Sequence, residues 1–179
     1  MATPTTLPAS FTAGQVLTAA QMNGLRGAFR VLQVVSTLKT DTFTTTSTTN
    51  TDVTGLTVTI TPQATSSQIL VLAQVNGAND FGVSNGYVQL TRGSTNIDFG
   101  DAAGSRSRVS GEFSTVNGGA TINVPIVFLD SPATTSATTY RIQVRTPAGT
   151  LYVNRSKSDT DNAFSARGAS TITVMEISA

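Results

Sequence analysis

Four carboxylates, Asp98, Asp101, Glu112 and Asp130, are the side chains through which this sequence could do acid–base chemistry. Two Asp or Glu residues flanking a sugar bond suffice for glycoside hydrolysis. Most other hydrolytic routes close, because the chain holds no His and no Cys. A Ser-His-Asp triad, a Cys-His pair and an HExxH zinc site are all impossible within one such chain. None of the four carboxylates sits in a motif, and aromatic residues that could stack on a sugar make up only 6% of the sequence. Asp98 and Asp101 flank Gly100 just after Asn96-Ile97, as residues of a surface turn do. Asp159-Thr160-Asp161-Asn162 offers oxygen ligands for calcium but lacks the spaced Gly and terminal Glu of an EF-hand loop, so a solvated loop is the plainer reading. The expectation is a protein that is not an enzyme, with no cofactor and no metal.

Two further polar residues are singled out by position. Glu176 shares strand parity with Ile172 and Val174, so it either faces inward and needs a partner such as Arg141 or Arg167, or a bulge turns it outward. Asn154-Arg155-Ser156 fits a glycosylation sequon, which matters only in a secretory pathway. The opening Met1 to Thr6 shows neither the charged nor the apolar region of a secretory signal, so synthesis in a host cytoplasm is expected.

The elements that must position these residues are mostly strands. Leu56, Val58 and Ile60 alternate with threonines, Tyr140, Ile142 and Val144 alternate with Arg141, Gln143 and Arg145, and Ile172 with Val174 repeats the pattern: strands with one wet face. Ile69–Leu72 and Ile126–Leu129 are apolar on both faces, which suits central strands covered on both sides or strands contributing to an oligomer interface. Asn85-Gly86, Arg92-Gly93-Ser94, Gly118-Gly119, Asp130-Ser131-Pro132 and Pro147-Ala148-Gly149 punctuate the runs as turns. The Thr-rich stretch from Thr40 to Asp52 is expected to be extended. Close spacing of about eight to ten short strands predicts an all-β, antiparallel β-sandwich or jelly-roll-like domain over residues 34–179.

Residues 1–33 read differently. The Pro- and Thr-rich start up to Gly14 predicts an extended arm. Thr18 with Gln21 then forms a capping box, and Leu17 with Met22 a hydrophobic staple. Met22, Leu25, Phe29 and Leu32 recur at helical spacing, while Gly24 and Gly27 each weaken the helix by about 1 kcal/mol. Such a helix must be docked, either on its own domain or on a partner. Phe11, Val16, Leu17, Met22, Leu25, Phe29 and Leu32 are the candidate anchoring and assembly residues.

Charged residues form only 12% of the 179, and the formal charge is +1. The arginines are dispersed rather than clustered, so no nucleic-acid footprint is expected. The apolar share of 39% is enough for a core, and Ile69 to Ala73 is far too short to span a bilayer.

Ser10 to Asn23 resembles the opening of many tailed-phage structural proteins, particularly tail and fibre components. Leu32–Val35 through Lys39–Phe43, Leu90–Thr95, Gly100–Arg106, Phe128–Pro132 and Ala169–Ile177 are similar to small virion proteins of environmental, including marine, phages. The resemblance implies an exposed component of the virion, commonly trimeric, partnered by capsid or tail proteins. Neither heptads nor a collagen-like repeat is present to build a shaft, which favours a head decoration protein, short fibre or fibre tip. Host-surface glycan binding by loops Ala78–Gly86 or Asn154–Asn162 is the competing expectation.

Overall fold

The computed structural model describes residues 14, 16, 18, 19, 22, 31–80, 85–113 and 120–178. Its strands are β1 (Val31–Lys39), β2 (Phe43–Thr45), β3 (Thr51–Ile60), β4 (Gln68–Asn79), β5 (Gly86–Arg92), β6 (Thr95–Ile97), β7 (Gly111–Phe113), β8 (Ile122–Asp130), β9 (Thr138–Arg145), β10 (Leu151–Val153) and β11 (Ser170–Ile177). The period-two runs become strands because alternation gives each one a dry face. β9 and β11 alternate buried and half-buried residues without a break.

All pairings are antiparallel, in two sheets. Gly77 pairs with Ile122 of β8 and with Val153 of β10, so β10 lies on the flank of β4 opposite β8. There it continues the line of β11, and β1 and β2 run end to end beside that line. In the second sheet, β6 and β7 likewise share the flank of β5 that β9 leaves free. Merging these end-to-end pairs leaves eight strand positions, ordered 1-8-3-6 in the first sheet and 2-7-4-5 in the second. That interleaving is the jelly-roll order of two Greek keys, so the all-β sandwich expectation holds.

The core lies between the sheets. Ile69, Val71, Val124, Ile126, Ile172 and Val174 face Leu56, Val58, Ile60, Leu90, Ile142 and Val144, all buried, in one apolar cluster. Close approach explains Gly77: a Cβ there would collide with the carbonyl oxygen of Tyr152. Pro125 is tolerated in β8 because that strand is at a sheet edge, where a missing N–H breaks no ladder. The Thr40–Asp52 stretch is extended at Phe43–Thr45, turns at Ser47 through its hydroxyl bond to the Thr49 carbonyl (2.7 Å), and enters β3 at Thr51.

A short N-terminal helix is not seen among the described elements. Leu32, read as the end of the helical stripe, belongs to β1, where the antiparallel ladder to β11 begins at Val31. Pairing along a whole edge outweighs a helical spacing that rests on one residue. Phe11, Leu17, Leu25 and Phe29 lie outside the described residues. Among the described residues, the Met22 amide donates to the Thr18 carbonyl at 3.0 Å, a bond of helical spacing.

Candidate functional site

Two of the four carboxylates are engaged by neighbouring side chains. Asp130, at the end of β8, accepts the Tyr140 hydroxyl at 2.6 Å and Arg92 Nη1 at 2.7 and 2.9 Å. Glu112, on β7, accepts from the Asn85 amide at 3.3 Å. Asp98 follows β6 in a left-handed conformation, φ 54°, and burial pushes its carboxyl up. Asp101 lies exposed in the loop beyond it. No group of three or more acidic, His or Cys residues that could hold a metal exists among the described residues.

The 159–162 loop does not offer a free cation site either. Asp159 is gripped by Arg167, with Nε at 2.7 Å and Nη2 at 3.0 Å, and Arg155 Nη1 stands 3.2 Å away. Two guanidiniums already neutralise the carboxylate that a calcium ion would need.

Glu176 faces inward and is fully buried, 0% exposed, so the outward bulge does not occur. Its partners are not arginines. Gln33 Nε2 donates at 2.6 Å and the Gln63 amide at 2.7 Å, with Ser67 and the Ala64 amide also bonding to it. The carboxylate thus ties the turn after β3 to β1 and β11. Burial pushes its pKa up, but the four donors outweigh burial and hold it below the usual glutamate value. With a depressed folded pKa, this contribution is present above the unfolded value of 4.5 and is lost as pH falls through the folded one. Glu176→Gln is expected to cost about 2 kcal/mol at pH 7, since it sets an amide against donors that served a charge. Below pH 4.5 the gap to the parent should narrow, as measured by urea midpoints at pH 7 and 3.5. Asp41 and Asp80, lowered in the same direction, are present in both proteins and cancel.

The sequon reading also ends here. Asn154 is fully buried, and its Nδ2 donates to the carbonyls of Lys39 and Asp41, each at 2.9 Å. No glycan can be attached to that nitrogen in the folded chain.

The loops named for glycan binding are brought to one end of the sandwich. Asp80, just past β4, accepts from the Thr150 amide (2.7 Å) and the Tyr152 hydroxyl (3.2 Å), with Lys157 Nζ at 3.4 Å. Burial opposes the charge of Asp80, but these donors outweigh it and keep the carboxyl below its ordinary range. Arg155 stacks 4.5 Å over the Tyr152 ring. Beside them, Asp159 to Asn162, Ser165 and Arg167 line a hollow of about 280 Å3, and Phe164 is 86% exposed. Residues 81–84 of the other loop lie outside the described residues.

The second candidate surface is the outer face of the first sheet. Register places Val34, Met175, Leu70 and Leu129 in one row across β1, β11, β4 and β8. Ser36, Thr173, Leu72 and Val127 form the next row, and Leu38, Thr171, Gln74 and Pro125 the third. None of these residues is charged, and Val127 and Leu129 are 69% and 49% exposed. Each of the apolar runs Ile69–Leu72 and Ile126–Leu129 therefore turns one side to the core and the other to the outer face of the sheet. The outer face of the second sheet is the opposite. Its rows carry Asp52, Arg141, Arg145 and Glu112, with Arg141 Nη1 3.2 Å from Asp52 and Arg145 stacked 4.5 Å over Tyr87. Sequence periodicity marked the apolar runs, but only register shows that they make one continuous uncharged face.

No family model and no curated protein matches the chain. Among solved structures the chain is similar to "The 2.6A structure of Infectious Bursal Virus Derived T=1 Particles", at 13% identity and a TM-score of 0.41. That match covers 81% of this chain and 39% of the other, so this chain spans about two fifths of that protein's length. The jelly-roll assignment stands on the strand order alone. No helix of the described residues is long and apolar enough to cross a membrane.

Proposed function

We propose that the chain is a non-enzymatic structural module of a tailed bacteriophage virion. In this reading it is a homotrimer displayed on the particle as a head decoration protein, short fibre or tail-fibre component. The arm up to Gly14 and the apolar positions after it dock the module to capsid or tail. The observation that carries the reading is the contrast between the two outer faces, one charged and one without a single charge over three rows of four strands. The largest exposed apolar patch on a soluble protein is often a functional surface, and closed symmetry is a common way to cover one. The sequence likeness of Ser10–Asn23 and Ala169–Ile177 to phage structural proteins supplies the location.

Gold-labelled antibodies against the chain, applied to intact particles from a producing lysate, should mark the particle exterior and show whether head or tail carries it. Label absent from every particle, with the protein present free in the lysate, overturns the virion reading.

A second reading, host-surface glycan recognition at a fibre tip, is favoured by the hollow beside exposed Phe164. Phe164→Ala should then abolish binding on a glycan array while leaving the oligomer intact. An array on which the parent binds nothing removes this reading.

A further inference from the structure

We infer that the outer edge of β8 pairs antiparallel with β8 of a second copy of this chain, about a two-fold axis beside Phe128. The contact relates copies two at a time, so it goes beyond the homotrimer proposed above and does not rest on it.

The direction of the backbone groups along β8 follows from β4. Asn76 donates its amide to the Ser170 hydroxyl at 2.9 Å, and its carbonyl accepts the Asn154 amide at 2.8 Å. Both partners belong to the flank of β4 that carries β11 and β10, opposite β8. Backbone groups change sides at every residue of a strand, so those of Gln74, Leu72 and Leu70 point the same way as those of Asn76. Their partners across the ladder are Pro125, Val127 and Leu129. These are non-hydrogen-bonded pairs, in which each residue turns its groups away from the other strand. The amides of Val127 and Leu129 and the carbonyls of all three therefore face the outer edge of β8, where no described residue pairs with them.

The remaining edges of the sandwich are stitched or short. Gln33 Nε2 donates to the Thr61 carbonyl at 2.7 Å and the Thr37 hydroxyl to the Thr57 carbonyl at 2.9 Å, which joins edge β1 to edge β3. β6 and β7 have three residues each. β8 has nine, and its one charge, Asp130, is turned inward onto Tyr140 and Arg92. A long edge without charge is a template for another strand.

One register is self-complementary. Centred on Phe128, the pairing sets Val127 against the partner's Leu129 and Leu129 against the partner's Val127, both as hydrogen-bonded pairs. Centred one residue earlier, it would set the ring of Pro125, which has no N–H, against the carbonyl of the partner's Leu129. At Phe128 that ring instead lies opposite the partner's Ser131, past the end of β8. The side chains agree with this choice. Val124 and Ile126 share the parity of Phe128 and are buried, whereas Phe128 is only half-buried. Across the axis it meets its own copy at the closer spacing of a non-hydrogen-bonded pair. Val127 and Leu129, exposed on the outer face, gain each other as cross-strand neighbours. One symmetry operation thus gives three consecutive apolar residues a partner and makes one surface of two uncharged faces.

The test uses the full chain and three variants, with light scattering for mass and far-ultraviolet circular dichroism to show that each is folded. The parent should contain an even number of copies, two, or six where trimers are joined in pairs. Val127→Pro removes an outward N–H without touching the β4 ladder, and Leu129→Arg sets a charge in the paired edge. Each should halve the parental mass, to 18.5 kDa if the parent is a dimer. Val34→Arg puts the same charge on the same face at its opposite edge and should leave the copies paired. A parental mass kept by either folded β8 variant overturns the inference. So does a Val34→Arg protein that falls to single chains, which means packing through the face. A parent of three copies overturns it and leaves the homotrimer standing, whereas a parent of two does the reverse. A single-chain parent removes both.

Discussion

Asn154→Ala is expected to lower the unfolding free energy by about 4 kcal/mol, the sum of two or three lost buried hydrogen bonds and a strained backbone. The residue sits where both the β1–β2 line and the β10–β11 line of the first sheet are broken. Its Nδ2 bonds the carbonyls of Lys39 and Asp41 across one break (both 2.9 Å), and its Oδ1 accepts from the Ser170 hydroxyl across the other (2.6 Å). Ser170 in turn accepts the Asn76 amide at 2.9 Å, which ties the network to β4. Alanine would leave the Lys39 and Asp41 carbonyls without these donors and the Ser170 hydroxyl proton without its acceptor. It would also have to adopt φ 62°, a left-handed conformation that Asn tolerates and Ala does not favour. Asn154→Gly relieves the backbone term only, so it should be more stable than the alanine variant by about 1 kcal/mol. Urea unfolding of the three proteins measures both differences. A loss under about 1 kcal/mol for Asn154→Ala would mean that water replaces the network at little cost.

Asp130→Ala should cost about as much, roughly 3–5 kcal/mol, by stranding charged and polar partners. Asp130 ends β8 in the first sheet, while Tyr140 and Arg92 are cross-strand partners on β9 and β5 in the second. The carboxylate therefore closes one end of the sandwich from sheet to sheet. Its loss leaves the Tyr140 hydroxyl, in a fully buried side chain, without its acceptor and Arg92 without its counter-charge. Tyr140→Phe removes one bond and leaves the ion pair, an expected loss of about 1–2 kcal/mol. The double variant should lose less than the two single losses added, because the stranded hydroxyl disappears with the ring oxygen. Strict additivity in thermal or urea unfolding would show that the two groups act independently. Burial first, and then the Asp130 carboxylate, push the Tyr140 phenol well above its ordinary pKa of 10. In alkaline titration it should ionise only with unfolding, visible as a step in phenolate absorbance.

These two clusters show why part of the molecule was legible and part was not. Tyr140, Ile142 and Val144 declared their dry face because a strand repeats every two residues, and a local period survives in any fold that buries one face. Asp130-Ser131-Pro132 declared a break, and β8 does end there, but nothing nearby in sequence reveals that its carboxylate reaches Tyr140 and Arg92. Asn154 read as part of a sequon because a tripeptide carries no information about burial.

Sequence by itself determined the all-β class, the strands marked by Leu56–Ile60, Ile69–Leu72, Ile126–Leu129, Tyr140–Val144 and Ile172–Val174, the breaks at Gly93 and Gly149, and the absence of His- and Cys-based chemistry. These are local or compositional properties. Tertiary structure decided the strand order 1-8-3-6 and 2-7-4-5, the uncharged face and the inward Glu176 with its amide partners. It also decided that Leu32 begins a strand rather than ends a helix. Each of these depends on pairing between segments far apart in the chain, such as Val34 with Met175 or Asn154 with Lys39. The energy that selects such pairings comes from burying both partners together, which neither segment encodes alone.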